Sequence, residues 1–200
     1  MPSLSTFDKI LDIAEQKVQT VGLNAFSFKD LEKVVGIKTA SIHYHFPTKQ
    51  DLVEALVARY IENFNDTLRA LESKSVSPLE KLEAFTKIFT KTLEEDRICL
   101  CGMLASDLLS VNDYTHDRLT GFFSSSEKWL EKHIKECIQQ KQVPQTVDPK
   151  IAAHFFLASL EGAMLIARVK KDIAYFKRIA QHSITSLKQK QFFLLISPTF

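Results

Sequence analysis

The stretch that most narrows what this chain can become lies between Ser27 and Asp51. It holds two short helical patterns that meet at a glycine and are closed by Phe46-Pro47. Ser27 followed by Asp30 reads as a capping box, in which the hydroxyl accepts an orphan N–H and the carboxylate reaches back to the backbone. The helix it opens turns Phe28, Leu31 and Val35 inward and stops at Gly36. A second short helix, roughly 38–45, is anchored by Ile37, Ile42 and Phe46. Pro47 ends it, and Thr48 with Asp51 caps a long helix carrying Leu52, Leu56, Tyr60, Phe64, Leu68 and Leu71. Upstream, Phe7, Ile10, Leu11, Ala14, Val18 and Val21 form one apolar stripe that ends at Gly22. Three helices so spaced, the last two joined at a glycine, have the form of a helix-turn-helix. His43, Tyr44 and His45 then crowd the end of a helix too short to bury them, where they suit a polar partner better than a core.

The helical period continues along the chain, with no convincing strand-type alternation. SKSVSP (73–78) reads as a linker in which Ser77 and Pro78 fit the N-cap and first helical position. Further helices are expected at about 78–94, 99–110, 114–141, 149–170 and 172–188. The predicted fold class is all-α: an N-terminal three-helix helix-turn-helix domain (1–50) and a larger helical domain (51–200). The tail FFLLISPTF is apolar and assigns itself no role.

Three cysteines, an odd number, argue for a reducing cytoplasm over a secreted disulfide framework. MPSLSTFDK lacks the basic start and apolar run of a signal peptide, and no apolar run is expected to approach the ~18 residues of a membrane span. A net charge of +2 does not by itself announce nucleic acid.

If the second short helix enters a major groove, Lys38, Thr39, Ser41, His43 and Tyr44 are available to DNA. Tyr44 and His45 can donate to phosphate oxygens. Lys49 sits in a first helical turn, where the helix dipole disfavours a cation and free N–H groups favour an anion, so a bound phosphate would explain it. Zinc is a poorer use of His43 and His45, since positions i and i+2 of a helix do not face each other.

The run FSFKDLEKVVGIKTASIHYHFPTKQDL closely resembles the DNA-binding domain of TetR-family transcriptional regulators, over about residues 6–60. The resemblance implies that Thr39, Ala40, Ser41 and His43 approach bases and that Tyr44, His45 and Lys49 grip the phosphate backbone. Lys38 and Thr48 complete the DNA-facing set. Two departures stand out: His43 where the family usually has Tyr, and Phe7 where many members carry Arg. The first arginine is Arg59, and Lys9, Lys17, Lys29, Lys33, Lys38 and Lys49 are nearly balanced by Asp8, Asp12, Glu15, Asp30 and Glu32. Phosphate affinity per protomer should be modest, which makes dimeric binding more necessary.

The same resemblance implies that the C-terminal region senses and dimerises. The helix after Asp148-Pro149 carries Phe155, Phe156, Ser159, Gly162, Ala163 and Ile166; with Phe176 on the following helix it resembles half of a four-helix homodimer interface. A monomer core is the alternative. Phe85, Phe89, Cys101, Met103, Leu104, Phe122, Phe123 and Trp129 are compatible with an apolar effector cavity, although core packing explains any one of them. Cys99 and Cys101 read as buried small hydrophobes, with a thiol sensor of electrophiles or oxidants as the alternative.

No Gly-x-Ser-x-Gly, phosphate loop, His-Glu-x-x-His or paired-carboxylate pattern is present, so no enzyme, metal or cofactor is expected. The expected function is a ligand-responsive regulator, a repressor by preference. It would bind palindromic double-stranded operator DNA as a homodimer and be released by a small apolar effector. An architectural DNA-binding protein without a ligand is a different class.

Overall fold

The computed structural model describes residues 5–189, which contain nine α-helices and no strand. The tail FFLLISPTF lies outside them. Most helix ends are set by local side-chain chemistry. Helix α1 (Thr6–Val21) is capped by the Ser5 hydroxyl and stops at Gly22, whose φ of 89° favours glycine. Helix α2 (Phe28–Val35) opens on the Ser27–Asp30 capping box and ends at Gly36 in the left-handed region, φ 76°. Helix α3 (Thr39–His45) follows after two residues. Helix α4 (Lys49–Glu72) begins where Thr48 and Asp51 exchange hydrogen bonds. Helix α5 (Pro78–Glu94) has Ser77 as N-cap, Pro78 in its first turn and Glu80 completing a second capping box.

The helix expected over 99–110 is broken. Helix α6 covers Leu100–Ala105, and a separate 3-10 turn covers Leu108–Ser110. Asp107 between them accepts from Asn24 at 2.6 Å and from the Ser110 hydroxyl at 2.7 Å, which holds the chain in a turn where periodicity alone suggests continuation. Helices α7 (Asp113–Gln139), α8 (Pro149–Lys170) and α9 (Ile173–Leu187) complete the chain.

Packing divides the chain into two compact units. The first combines Met1–Asn65 with Arg97–Phe122; in it α1 packs on α2 and α6, and α2 on α3. Its core includes Leu11, Ala14, Val18, Leu31, Ile42, Phe46, Leu52 and Leu56. Phe28 and Val35, expected inward, are only half-buried; of α2, Leu31 alone is buried. The expected domain boundary near residue 50 falls in the first turn of α4.

The second unit combines Asp66–Asp96 with Phe123–Phe200, and in it α5, α8 and α9 pack against one another. Glu72, the last residue of α4, is the centre of its polar network. It accepts from Lys132 at 3.0 Å, His133 Nε2 at 2.9 Å and Lys81 at 3.3 Å. His133 is fully buried, and its Nδ1 lies 2.8 Å from Glu136. Burial opposes ionisation of Glu72, but the hydrogen bonds from Lys132, His133 and Lys81 outweigh it and hold the carboxyl at about 2.

Helix α8 is long and apolar enough to cross a membrane by length and composition, which corrects the expectation that no apolar run approaches that length. It is instead a packed helix: Ala152, Ala153, Phe156, Leu157, Leu160, Ala163, Met164 and Ala167 are buried within the chain.

Candidate nucleic-acid interface

Helix α3 is pinned by one side and open on the other. Ile42 and, just past its end, Phe46 are buried, while Ala40, Ser41, His43 and Tyr44 are exposed. Tyr44 is 83 % exposed, an arrangement a folded chain does not need for its own stability. Lys38 and Thr48 flank this face and are also exposed.

The start of α3 is held from outside its own sequence. The Glu32 carboxylate on α2 accepts from the Thr39 backbone N–H at 2.9 Å and from the Thr39 hydroxyl. These bonds from Thr39, hydroxyl first, keep the Glu32 carboxyl below its ordinary value. Thr39 was expected to approach bases. Its hydroxyl proton is committed to Glu32, so only its oxygen lone pairs remain to offer. Glu32 positions the start of α3, which sequence reasoning missed; an acid seven residues ahead of Thr39 was the available signal.

The end of α3 is held by aromatic packing. Phe7 stacks on Phe46 at 4.9 Å and meets His45 at 6.1 Å, and His45 meets Tyr44 edge to face at 5.2 Å. Phe7, at the position where an arginine would give charge, gives support. His43 lies edge to face on Phe28 of α2 at 4.9 Å, and its Nδ1 is 3.1 Å from the Pro47 carbonyl oxygen.

Lys49 departs from the expectation of a free phosphate ligand. Its ammonium donates to the Leu23 carbonyl at 2.6 Å and the Phe26 carbonyl at 2.7 Å, and sits 4.7 Å from the centre of the Phe26 ring. Burial lowers its pKa, with Asp107 pulling the other way. The cation that looked unfavourable for the helix is a brace between the start of α4 and the turn before α2. Arg59 is likewise engaged, with Asp12 at 2.8 Å and Glu15 at 3.1 Å on α1.

The remaining expected site residues separate by burial. On α8, Phe155, Ser159, Gly162 and Ile166 are at least partly exposed. Phe156 and Ala163, expected at the dimer face, are buried in the protomer's own core, as is Phe176 on α9. Ile151, Leu165 and Val169, which the sequence reading did not assign, are exposed at positions that extend the Phe155–Ile166 face. Of the expected effector residues, Cys101, Leu104 and Phe122 are core residues of the first unit; Phe122 packs on Tyr60 and Phe64. Met103 in the first unit and Phe123 in the second are half-buried. Phe85, Phe89 and Trp129 form an aromatic cluster in the second, with Phe85 stacked on Trp129 at 5.4 Å. The Trp129 indole N–H is buried and has no hydrogen-bond partner among the described residues. All three cysteines are buried, and burial pushes Cys137 to about 11. Among the described residues no cluster could hold a metal ion.

A short exposed helix carrying polar and aromatic groups, braced by two helices and followed by a larger helical unit, defines a helix-turn-helix DNA-binding regulator. Residues 10–56 match the family model of bacterial regulatory proteins, tetR family, and residues 78–183 that of the tetracyclin repressor-like C-terminal domain. The chain belongs to the TetR family of transcriptional regulators. A TetR-family regulator from Agrobacterium tumefaciens has the same fold, with a TM-score of 0.86 and 32 % identity over 92 % of this chain and 98 % of that one. The negative transcriptional regulator IcaR of Staphylococcus aureus is 31 % identical over 129 residues, 64 % of this chain and 69 % of that protein. The transcriptional repressor DhaR of a Mycobacterium species is 22 % identical over 152 residues, 76 % of each.

Proposed function

We propose that this regulator is a ligand-responsive repressor whose homodimer binds palindromic operator DNA through α3 and is released by a small apolar effector in the cytoplasm. The observation that carries it is the open face of α3, with Ala40, Ser41, His43 and Tyr44 exposed on a helix anchored by Ile42 and Phe46. DhaR, named as a transcriptional repressor, and IcaR, named as a negative transcriptional regulator, support the sign of regulation. In this reading residues 1–50 bind DNA and 51–200 bind effector and dimerise.

A route for the signal is available within the first unit. Asn24 bonds Asp107 at 2.6 Å, Gln50 donates to the Ser110 carbonyl at 2.9 Å, and Asn112 donates to Glu54 at 2.7 Å. These bonds tie the helix-turn-helix and the start of α4 to the α6–α7 junction. For the effector, the Phe85–Phe89–Trp129 cluster offers apolar surface, and the buried Trp129 N–H offers one donor to an acceptor on the ligand. Dimerisation falls to the exposed apolar face of α8, from Ile151 through Phe155, Gly162 and Ile166 to Val169. The buried thiols speak against sensing through Cys99 or Cys101.

The test is to sequence the DNA that the purified protein retains from a random pool. A palindrome with half-site centres about one helical turn apart, or a multiple of it, supports the reading. Retention with no enriched sequence would refute operator recognition and leave an architectural role.

A further inference from the structure

We infer that His43 is a proton-controlled base reader: it accepts from an exocyclic base amine at neutral pH and donates to a base acceptor when protonated. The inference rests on α3 entering the major groove.

The His43 Nδ1 lies 3.1 Å from the Pro47 carbonyl oxygen. A carbonyl oxygen only accepts, so Nδ1 must carry the hydrogen. In the neutral ring that leaves Nε2 as a bare lone pair. Phe28, edge to face at 4.9 Å, supports the ring from α2, and the side chain remains exposed. The exposed nitrogen of neutral His43 is therefore an acceptor, whereas a tyrosine hydroxyl at this position could donate or accept.

In the major groove the donors are the N4 amine of cytosine and the N6 amine of adenine; guanine presents O6 and N7, adenine N7, and thymine O4, as acceptors, so cytosine alone offers no acceptor. Neutral His43 selects cytosine or adenine. A second proton changes Nε2 alone, because Nδ1 already donates to Pro47 in both states. Protonated His43 finds acceptors on guanine, thymine and the N7 of adenine and selects against cytosine, and its positive charge gains from the DNA field.

The contacts of the ring do not compete for this proton. Phe28 and the Pro47 carbonyl are uncharged. The α2 acids are already engaged, Asp30 by Ser27 and Lys33, and Glu32 by Thr39. Asp51, at the start of α4, is engaged by Thr48. The remaining charged groups on α2, Lys29 and Lys33, are exposed cations. On α3 itself the adjacent titratable rings, Tyr44 and His45, pair with each other.

The experiment selects full-length protein against random double-stranded DNA at pH 7.5 and pH 5.5, with far-UV circular dichroism confirming the fold at both. At one position per half-site, wild type should prefer cytosine or adenine at pH 7.5. At pH 5.5 guanine and thymine should gain on cytosine at that position, by about five-fold or more. His43→Gln carries both a donor and an acceptor and does not titrate, so it should keep one preference at both values. His116→Gln, an exposed position on α7 outside the DNA-facing set, should retain the wild-type shift. An unchanged ratio of guanine and thymine to cytosine in wild type at both pH values overturns the proposal, as does a shift that survives in His43→Gln or disappears in His116→Gln. Absence of any enriched sequence at either pH instead removes the operator-binding reading on which the proposal stands, and the proposal with it.

Discussion

The Glu32 carboxylate on α2 accepts the Thr39 backbone N–H at 2.9 Å and so caps the first turn of α3 from seven residues away. A helix of seven residues makes few internal hydrogen bonds, so an external cap is a large part of what keeps it formed. Replacing Glu32 with Ala should fray the start of α3 and weaken operator binding roughly three- to ten-fold. Because Thr39 holds this carboxyl below its ordinary value, the cap acts above that value and is lost as pH falls through the lowered one. Binding titrations of wild type and variant from neutral pH downward should converge in acid. Identical affinities at neutral pH would count against the cap.

Lys49→Ala should destabilise the protein by about 1–3 kcal/mol, since it strips a donor from the Leu23 and Phe26 carbonyls. Its operator affinity should fall with the salt slope nearly unchanged. Exposed Lys38 should behave oppositely: Lys38→Ala should leave the melting temperature alone and flatten the slope by about one unit per half-site. Salt titrations together with thermal melts separate the two roles.

Gly162 is the cleanest probe of the α8 face. A Cβ built there meets no described atom of the same chain within 4 Å. Replacing a mid-helix glycine also favours the helix by up to about 1 kcal/mol. Gly162→Arg should therefore fold as well as wild type and sediment as a monomer. A dimer that tolerates the arginine would move the interface off this face.

The Glu72 network makes a prediction about acid stability. Its carboxyl lies at about 2 in the folded chain, against 4.5 for the ordinary group. A depressed carboxylate contributes stability that is fully present above the ordinary value and disappears as pH falls toward the folded one. Wild type should lose on the order of 2 kcal/mol from this source between pH 4.5 and 2. Glu72→Gln should be less stable at pH 7 and show a flatter acid limb in denaturant melts.

Helix boundaries were legible because caps are local. Ser27 reaches Asp30, Ser77 reaches Glu80, and Asp148 accepts from the first turn of α8, all within three residues. Gly22 and Gly36 take positive φ where a side chain would be strained. Those short-range rules, with the helical period, were enough to mark the helix-turn-helix and most of the helices after it. The exposed α3 face was legible for the same reason, since Ile42 and Phe46 left the other positions outside.

Tertiary structure decided what depends on distance along the chain. Lys49 finds its acceptors 23 and 26 residues earlier, and Glu32 meets Thr39 across a turn. His133 on α7 is buried because Glu72 and Glu136 come to both of its nitrogens. In α8 Lys150, His154, Glu161 and Arg168 make only a narrow polar stripe, so periodicity did not say which of the broad apolar flanks faces the core. Only packing against α5 and α9 decided that Phe156 and Ala163 turn inward while Ile151, Leu165 and Val169 stay outside. The physical reason is common to all of these: a side chain carries its hydrogen-bonding capacity and apolar area in the sequence, but which partner satisfies them depends on the fold.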